Sequence, residues 1–336
     1  MAITLHDVAR MAGVSIKTVS NVINDYPHIR PTTRTKVEAA ISELGYQPNL
    51  SARSLRSGRS GVISLLIPDL RNAYFAELAD AVMRAAQARG LSVIIEQMPG
   101  GKKEELEILR GPRMQLVDGI LYSVLALGEE DAHELDSRMP MVLLGDRIFH
   151  GPKDHVTMQN TAGAKAATEH LLSLGRRRIA ALGSHPGEVV GSAGLRLDGY
   201  RQALDEAGVA YDPAIVIPAV NWHRKDGAAA MRGFLDQGVP FDGLVAFNDS
   251  MALGAMRVMQ EAGLRIPDDV SVIGFDDIDE TRYSIPSLST IDPSKDEIAE
   301  TAVDLLLERI ENPDSDVPAR DLATMFRVVQ RESSAR

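Results

Sequence analysis

Hydrophobic and polar positions follow two different textures along this chain. Over the first sixty residues the apolar positions recur in short bursts at three- and four-residue spacing, the period of helices with one buried face. Thr4-Leu-His-Asp7 has the make-up of a capping box, in which the Thr4 hydroxyl accepts from first-turn amides and Asp7 sits at the positive end of the helix dipole. A helix over 5–11 follows, stopped by Gly13. Ser15 is placed to cap a second helix over 16–23, with Val19, Val22 and Ile23 inward and Ile16, Lys17, Ser20 and Asn21 outward. A third helix starts with Pro31 in its first turn, buries Val37, Ile41 and Leu44, and stops at Gly45. Two capped helices about a glycine turn make a helix-turn-helix, whose second helix suits the major groove of DNA. A helical hairpin with no role on DNA carries the same local pattern.

From Gly61 onward the texture changes to strand-length apolar runs alternating with amphipathic helices. Strands are expected over 62–67, 92–96, 119–122 and 141–144, with helices over 75–89 and 104–115 between them. The pattern then repeats, with strands over 178–182, 215–217, 244–247 and 270–275 and helices over 162–173, 195–207, 226–236 and 250–262. Continuous apolar strands separated by helices mean parallel sheets covered on both faces. Two such series predict two α/β lobes, and ligands bind beyond the carboxyl ends of parallel strands, so facing lobes make a cleft.

Composition changes this picture at one point. The net charge of -11 over 336 residues argues against a nucleic-acid partner, yet residues 1–60 alone carry +4 and the remainder carries -15. A basic head on an acidic body is the division expected when only the head meets phosphates. The linker Pro48-Asn-Leu-Ser-Ala-Arg-Ser-Leu-Arg-Ser-Gly58 is basic and too short for a stable isolated helix, so it is helical only when something holds it. Absence of cysteine removes disulfides, thiolate metal sites and thiol nucleophiles, and suits a reducing compartment. No apolar run approaches membrane-helix length, and the opening residues lack the basic and apolar blocks of a signal peptide, so a cytoplasmic protein without membrane contact is expected.

Three stretches in register resemble the lactose and galactose repressor family of bacterial transcription regulators: Asp7-Val-Ala-Arg-Met-Ala-Gly-Val-Ser-Ile-Lys-Thr-Val-Ser-Asn-Val-Ile-Asn24, Arg34-Thr-Lys-Val-Glu-Ala-Ala-Ile-Ser-Glu-Leu-Gly-Tyr-Gln-Pro-Asn49, and Ala52-Arg-Ser-Leu55. The resemblance implies a DNA-facing set of Thr4, Ser15, Ile16, Lys17, Thr18, Ser20 and Asn21 in the head and Asn49, Ala52, Arg53 and Leu55 in the linker. Lys17 and Asn21 suit base edges, while Ile16 suits either a thymine methyl or packing. By the same resemblance, residues 51–57 form a hinge helix that folds on DNA, with Leu55 from each of two protomers wedged into the minor groove. It implies domains over 1–48, 49–60 and 61–336. Within the last, a periplasmic-type sugar-binding fold, the first lobe takes 61–160 and 292–320 and the second 161–291 and 321–336.

The family's effector-contacting positions fall on Asp69, Tyr74, Phe75, Asp146, Arg196, Trp222, Asn248 and Asp276, at strand ends and helix starts. Carboxylates, amides and arginine bond vicinal hydroxyls directionally, and the lone tryptophan offers a face to a pyranose, so a carbohydrate effector is expected. Plainer roles compete: Tyr74 as core packing beside Phe75, Asp249 as the cap of the helix at Ser250, and Asp277 and Asp279 as solvated turn residues. An enzyme reading pairs Asp146 with Asp276 as glycosidase carboxylates, or uses His133, His155, His170 or His185 as a base. No nucleophile elbow, phosphate-binding glycine loop or metal-spaced cluster accompanies them, so no catalysis and no cofactor are expected. A periplasmic binding protein would have a signal peptide and no helix-turn-helix, while a catabolite regulator answering to a phosphoprotein remains an alternative within the regulator class. The expected function is a transcription regulator, a repressor acting as a homodimer on a palindromic double-stranded operator, since no leucine heptad trails the chain to make a tetramer.

Overall fold

The computed structural model describes residues 3–23, 26–46, 59–98 and 100–335. Contacts divide the chain into an N-terminal unit ending at Gly61 and a body beginning at Val62.

The N-terminal unit holds three helices, α1 (Leu5–Ala12), α2 (Ile16–Ile23) and α3 (Pro31–Leu44). Val8, Val19, Val22, Val37, Ala40 and Tyr46 make its buried centre. Gly13 (φ +66°) and Gly45 (φ +62°) close α1 and α3 in the left-handed region, where a side chain would be strained. Ser15 Oγ accepts from the Thr18 amide at 3.1 Å, capping α2 as the sequence requires. At α1 the expected capping box is present, with Asp7 accepting both the Thr4 amide (3.0 Å) and the Thr4 hydroxyl (2.7 Å).

The body contains two parallel sheets. One has six strands in the order β11-β5-β4-β3-β1-β2, formed by β1 (Val62–Ile67), β2 (Ser92–Gln97), β3 (Gly119–Ser123), β4 (Met141–Leu144), β5 (Asp154–Thr157) and β11 (Asp321–Ala323). The other has four, in the order β7-β6-β8-β9, from β6 (Ile179–Ser184), β7 (Val216–Pro218), β8 (Gly243–Ala246) and β9 (Ser271–Ile273). A two-stranded antiparallel pair, β10 (Thr290–Asp292) with β12 (Arg327–Val329), completes the strands. In both sheets the first strand lies between the second and the third, so the strand order reverses beside β1 and beside β6. Ligand sites open at such reversals, beyond the carboxyl ends of the strands.

Helices α4 (Ala73–Ala88), α5 (Lys102–Leu109) and α10 (Lys295–Glu311) accompany the first sheet; α6 (Asn160–Ser173), α7 (Ser192–Glu206), α8 (Arg224–Leu235) and α9 (Asp249–Glu261) accompany the second. α6 and α7 cross closely at Gly199, where a Cβ would stand 2.1 Å from the Thr161 carbonyl oxygen.

Three expectations are corrected. The helix over 104–115 is two pieces, α5 and a 3-10 turn Pro112–Leu116, because Pro112 has no amide to continue the helical ladder. β5 was not anticipated: Asp154 and His155 are polar, yet they are buried in mid-sheet by partners from the far end of the chain. Asp154 accepts from Arg309 (2.7 Å) and Arg320 (3.1 Å), and His155 bonds Asp321 at 2.9 Å. Residues 321–323 consequently belong to the first lobe, parallel to β5, and the chain crosses only after Ala323.

Candidate functional site

In the head, α2 leaves Lys17 exposed, with Thr18, Ser20 and Asn21 half-exposed and Ser15 exposed at the cap. Ile16 is half-buried against the three-helix core, so packing accounts for much of its side chain. Thr4 is exposed at the start of α1. Asn49, Ala52, Arg53 and Leu55 lie outside the described residues.

The body encloses a cavity of about 350 Å³ between its lobes. Asp69, Tyr74, Phe75, Asp146, Arg196, Trp222 and Asp276 all line it. The charged ones arrive by one device, a polar group just past a strand or near a helix start: Asp69 follows β1, Asp146 follows β4, Arg196 lies in the second turn of α7, and Asp276 follows β9.

Arg196 is the centre of the site. It is 2% exposed, stacked 3.6 Å over the Phe275 ring and 5.2 Å from Trp222. Its Nε donates to Asn160 Oδ1 (2.7 Å), Nη1 donates to the Phe247 carbonyl, and Nη2 stands 3.7 Å from Asp276 Oδ1. A buried charge needs such partners, because leaving water unpaired costs several kcal/mol. Burial nevertheless pushes the Asp276 carboxyl up to about 7, with Arg196 and Lys295 opposing the rise. Asp276 also has φ +116°, outside the range a non-glycine residue normally adopts. Such strain persists only where its surroundings over-determine it, and it concentrates at binding sites. Tyr74 packs edge-on to Phe75 with ring centres 5.2 Å apart, and burial raises its hydroxyl pKa above the usual tyrosine value. The packing and the cavity-lining roles of Tyr74 therefore coexist.

Several pairs bridge the two lobes at this cavity. His223 Nε2 lies 3.0 Å from Asp69 Oδ2, Ser192 Oγ donates to Asp146 Oδ2 at 2.5 Å, and Arg147 Nη2 is 3.9 Å from Glu188. Partial burial works against ionisation of Asp69, but hydrogen bonds from the Arg71 side chain and amide hold its pKa below the ordinary value.

Asn248 stands behind the cavity wall and does not line it. Its Oδ1 accepts the Met251 amide at 2.8 Å, capping α9, and its Nδ2 donates to the Trp222 carbonyl at 2.9 Å. Asn248 thus acts on the site through Trp222, whose Nε1 in turn donates to the Gly183 carbonyl. The capping role expected of Asp249 belongs to Asn248, while Asp249 is buried and accepts from Thr290 Oγ1 (2.7 Å) and the Ile278 amide (3.1 Å). Asp277 is likewise no solvated turn residue; it is buried, with Arg331 at 2.5 Å and Arg282 at 3.3 Å. Asp279 is exposed as expected. Ser123, His185, Ser192 and His223 line the cavity without having been singled out as ligand contacts. A signal existed for two of them: Ser123 ends β3 and His185 directly follows β6, the positions from which ligand groups were drawn elsewhere.

The model of the bacterial regulatory proteins, lacI family, matches residues 4–49, and that of the periplasmic binding protein-like domain matches residues 168–334. The ribose operon repressor of Halalkalibacterium halodurans is 34% identical over 331 residues, covering 98% of this chain and 97% of its own. The chain belongs to the lacI family of bacterial transcription regulators. A lacI-family regulator from Sanguibacter keddieii is 49% identical over 82% of this chain and 99% of its own, with a TM-score of 0.77. The lac repressor dimer bound to operator and the anti-inducer ONPF covers 100% of both chains at 30% identity, with a TM-score of 0.85. This lacI-family chain is accordingly a transcriptional regulator with a helix-turn-helix head and an effector-binding body of two α/β lobes, in a family that is not enzymatic. Among its described residues no helix is long and apolar enough to cross a membrane.

Proposed function

We propose that this regulator is a repressor that binds a palindromic operator as a homodimer and releases it when a carbohydrate occupies the cleft. The observation that carries the reading is the cavity itself, which the rings of Tyr74, Phe75 and Trp222 line together with the polar groups of Asp146, Arg196 and Asp276. Aromatic faces cover the apolar side of a sugar ring while carboxylates and guanidinium bond its hydroxyls. The names of two relatives, a ribose operon repressor and a lac repressor dimer bound to operator, support the same reading.

In the mechanism, ligand draws the lobes together through the pairs that already span them, Asp69 with His223 and Asp146 with Ser192. Closure shifts the paired first lobes, separates the two segments over 51–57, and removes Leu55 from the minor groove. Ligand and operator are then negatively coupled, with coupling in the usual range of about 5- to 150-fold.

The test is operator binding by the full chain, measured by fluorescence anisotropy on a DNA fragment selected from a random pool, with a panel of sugars added. At least one sugar weakens binding, and Leu55→Ala weakens it without any ligand. Sugars that occupy the cleft yet tighten operator binding would reverse the sign of the mechanism.

A further inference from the structure

The pairing of charges inside the cleft bears on what kind of ligand it accepts. Each positively charged or potentially positive group in the lining already faces an acidic side chain. Arg196 faces Asp276 at 3.7 Å, Arg147 faces Glu188 at 3.9 Å, His185 Nδ1 bonds Glu188 Oε2 at 2.7 Å, and His223 Nε2 faces Asp69 at 3.0 Å. Arg196 cannot turn away from its partner, because it is 2% exposed and held by Asn160, the Phe247 carbonyl and the Phe275 ring.

The carboxylates are not matched in the same way. Asp146 is buried and accepts from two hydroxyls, Thr157 Oγ1 at 2.8 Å and Ser192 Oγ at 2.5 Å. Its partners are therefore neutral. Asp69 is compensated from outside the cleft lining, since the Arg71 guanidinium bonds it at 3.1 Å, which leaves Asp146 as the cleft carboxylate with neutral partners alone. Phosphate and carboxylate ligands need guanidinium or ammonium groups free to form charge-assisted bonds, and a like charge in a poorly hydrated site repels them strongly. Hydroxyls, by contrast, donate readily to carboxylates such as Asp146 and ask for no free cation.

We propose that the cleft accepts an uncharged polyhydroxy ligand and rejects the same ligand once it carries a phosphate or carboxylate group. Glu188 is the main gatekeeper, because it holds both Arg147 and His185, the groups an anion would otherwise recruit. This rests on the reading of the cavity as the effector site.

The sole tryptophan, Trp222, lines the cavity, so its fluorescence reports cleft occupancy directly. In the first arm the full chain is titrated with matched pairs, ribose against ribose 5-phosphate, glucose against glucose 6-phosphate, and galactose against galacturonate. Among pairs that bind, the neutral member is expected to bind at least about tenfold more tightly, or about 1.4 kcal/mol. An anionic member that binds as well as its neutral counterpart overturns the proposal. In the second arm the titrant is inorganic phosphate, against chloride at matched ionic strength. The natural chain is expected to show no saturable Trp222 change, whereas Glu188→Gln, which releases Arg147 and His185, shows one. Saturable phosphate binding by the natural chain overturns the proposal even if no sugar binds. Phosphate exclusion together with silence from every sugar retains the charge argument and removes the carbohydrate reading.

Discussion

Asp276→Asn isolates the energetic consequence of burying a carboxyl beside Arg196. The Asp276 pKa rises from 3.8 in an unfolded chain to about 7, chiefly through burial, with Arg196 opposing the rise. A raised carboxyl pKa means that the unfolded state loses its proton first, so this residue's contribution to stability falls as pH rises from about 4 to about 7. Integrated between pH 5 and pH 8, the shift corresponds to about 2.5 kcal/mol lost by the natural chain. Asparagine reproduces the protonated form, neutral and nearly isosteric, and has no proton to lose. Its stability relative to the natural chain should therefore rise by about 2–3 kcal/mol between pH 5 and pH 8, whatever the offset at pH 5. Urea unfolding followed by Trp222 fluorescence measures this in the body alone, since the head has no tryptophan. A relative stability that stays constant to within about 0.5 kcal/mol over that range would refute the reasoning and return Asp276 to an ordinary carboxylate.

Asp154 provides the opposite sign. Burial works against its ionisation, yet Arg309 and Arg320 hold its pKa at about 2, so its contribution is full above about pH 4 and disappears as pH falls through 2. Asp154→Asn should cost about 2 kcal/mol at pH 7, and the gap should narrow in acid when unfolding is compared at pH 7 and pH 3. Gly199→Ala places a Cβ 2.1 Å from the Thr161 carbonyl oxygen and 2.9 Å from the Lys165 amide nitrogen, so α6 and α7 must separate. Thermal unfolding should show a loss of at least about 2 kcal/mol, and a wild-type melting curve would place the helices farther apart than described. On DNA, Asn21→Ala should cost about 1–3 kcal/mol and relax preference at one operator position, as measured by anisotropy on single-base variants. Equal losses on every variant would make Asn21 a phosphate contact.

Much of the site was legible because it rests on local rules. A polar residue immediately after an apolar strand run lies at the carboxyl edge of a parallel sheet, and that placement alone located Asp69, Asp146 and Asp276 in the cavity. Asn248 has the same position, but both ends of its amide are engaged by the Met251 amide and the Trp222 carbonyl, which sets it behind the cavity wall. Which atom of an Asn-Asp pair caps a helix depends on what else reaches it. Thr290 and Ile278, from the segment after β9, claim Asp249 and leave the cap to Asn248. His185 was visible as a histidine beyond a strand, but its tie to Glu188 across a single turn appears only when the loop is folded.

Periodicity, capping residues and the uneven charge determined by themselves three small helices with a basic outward face, two α/β lobes, and a line of polar groups at strand ends. These depend on neighbours within a few residues, where backbone geometry dictates which side chains share a face. Tertiary structure decided the rest: that β5 and β11 are strands, that Asp154 is buried beside Arg309 and Arg320, and that the cleft's cations are all matched by acids. Apart from His185 with Glu188, those features join residues 41 to 166 positions apart, and no local pattern specifies which distant partner will neutralise a buried charge. The choice is made only when packing removes water from both groups and leaves each as the other's nearest source of compensation.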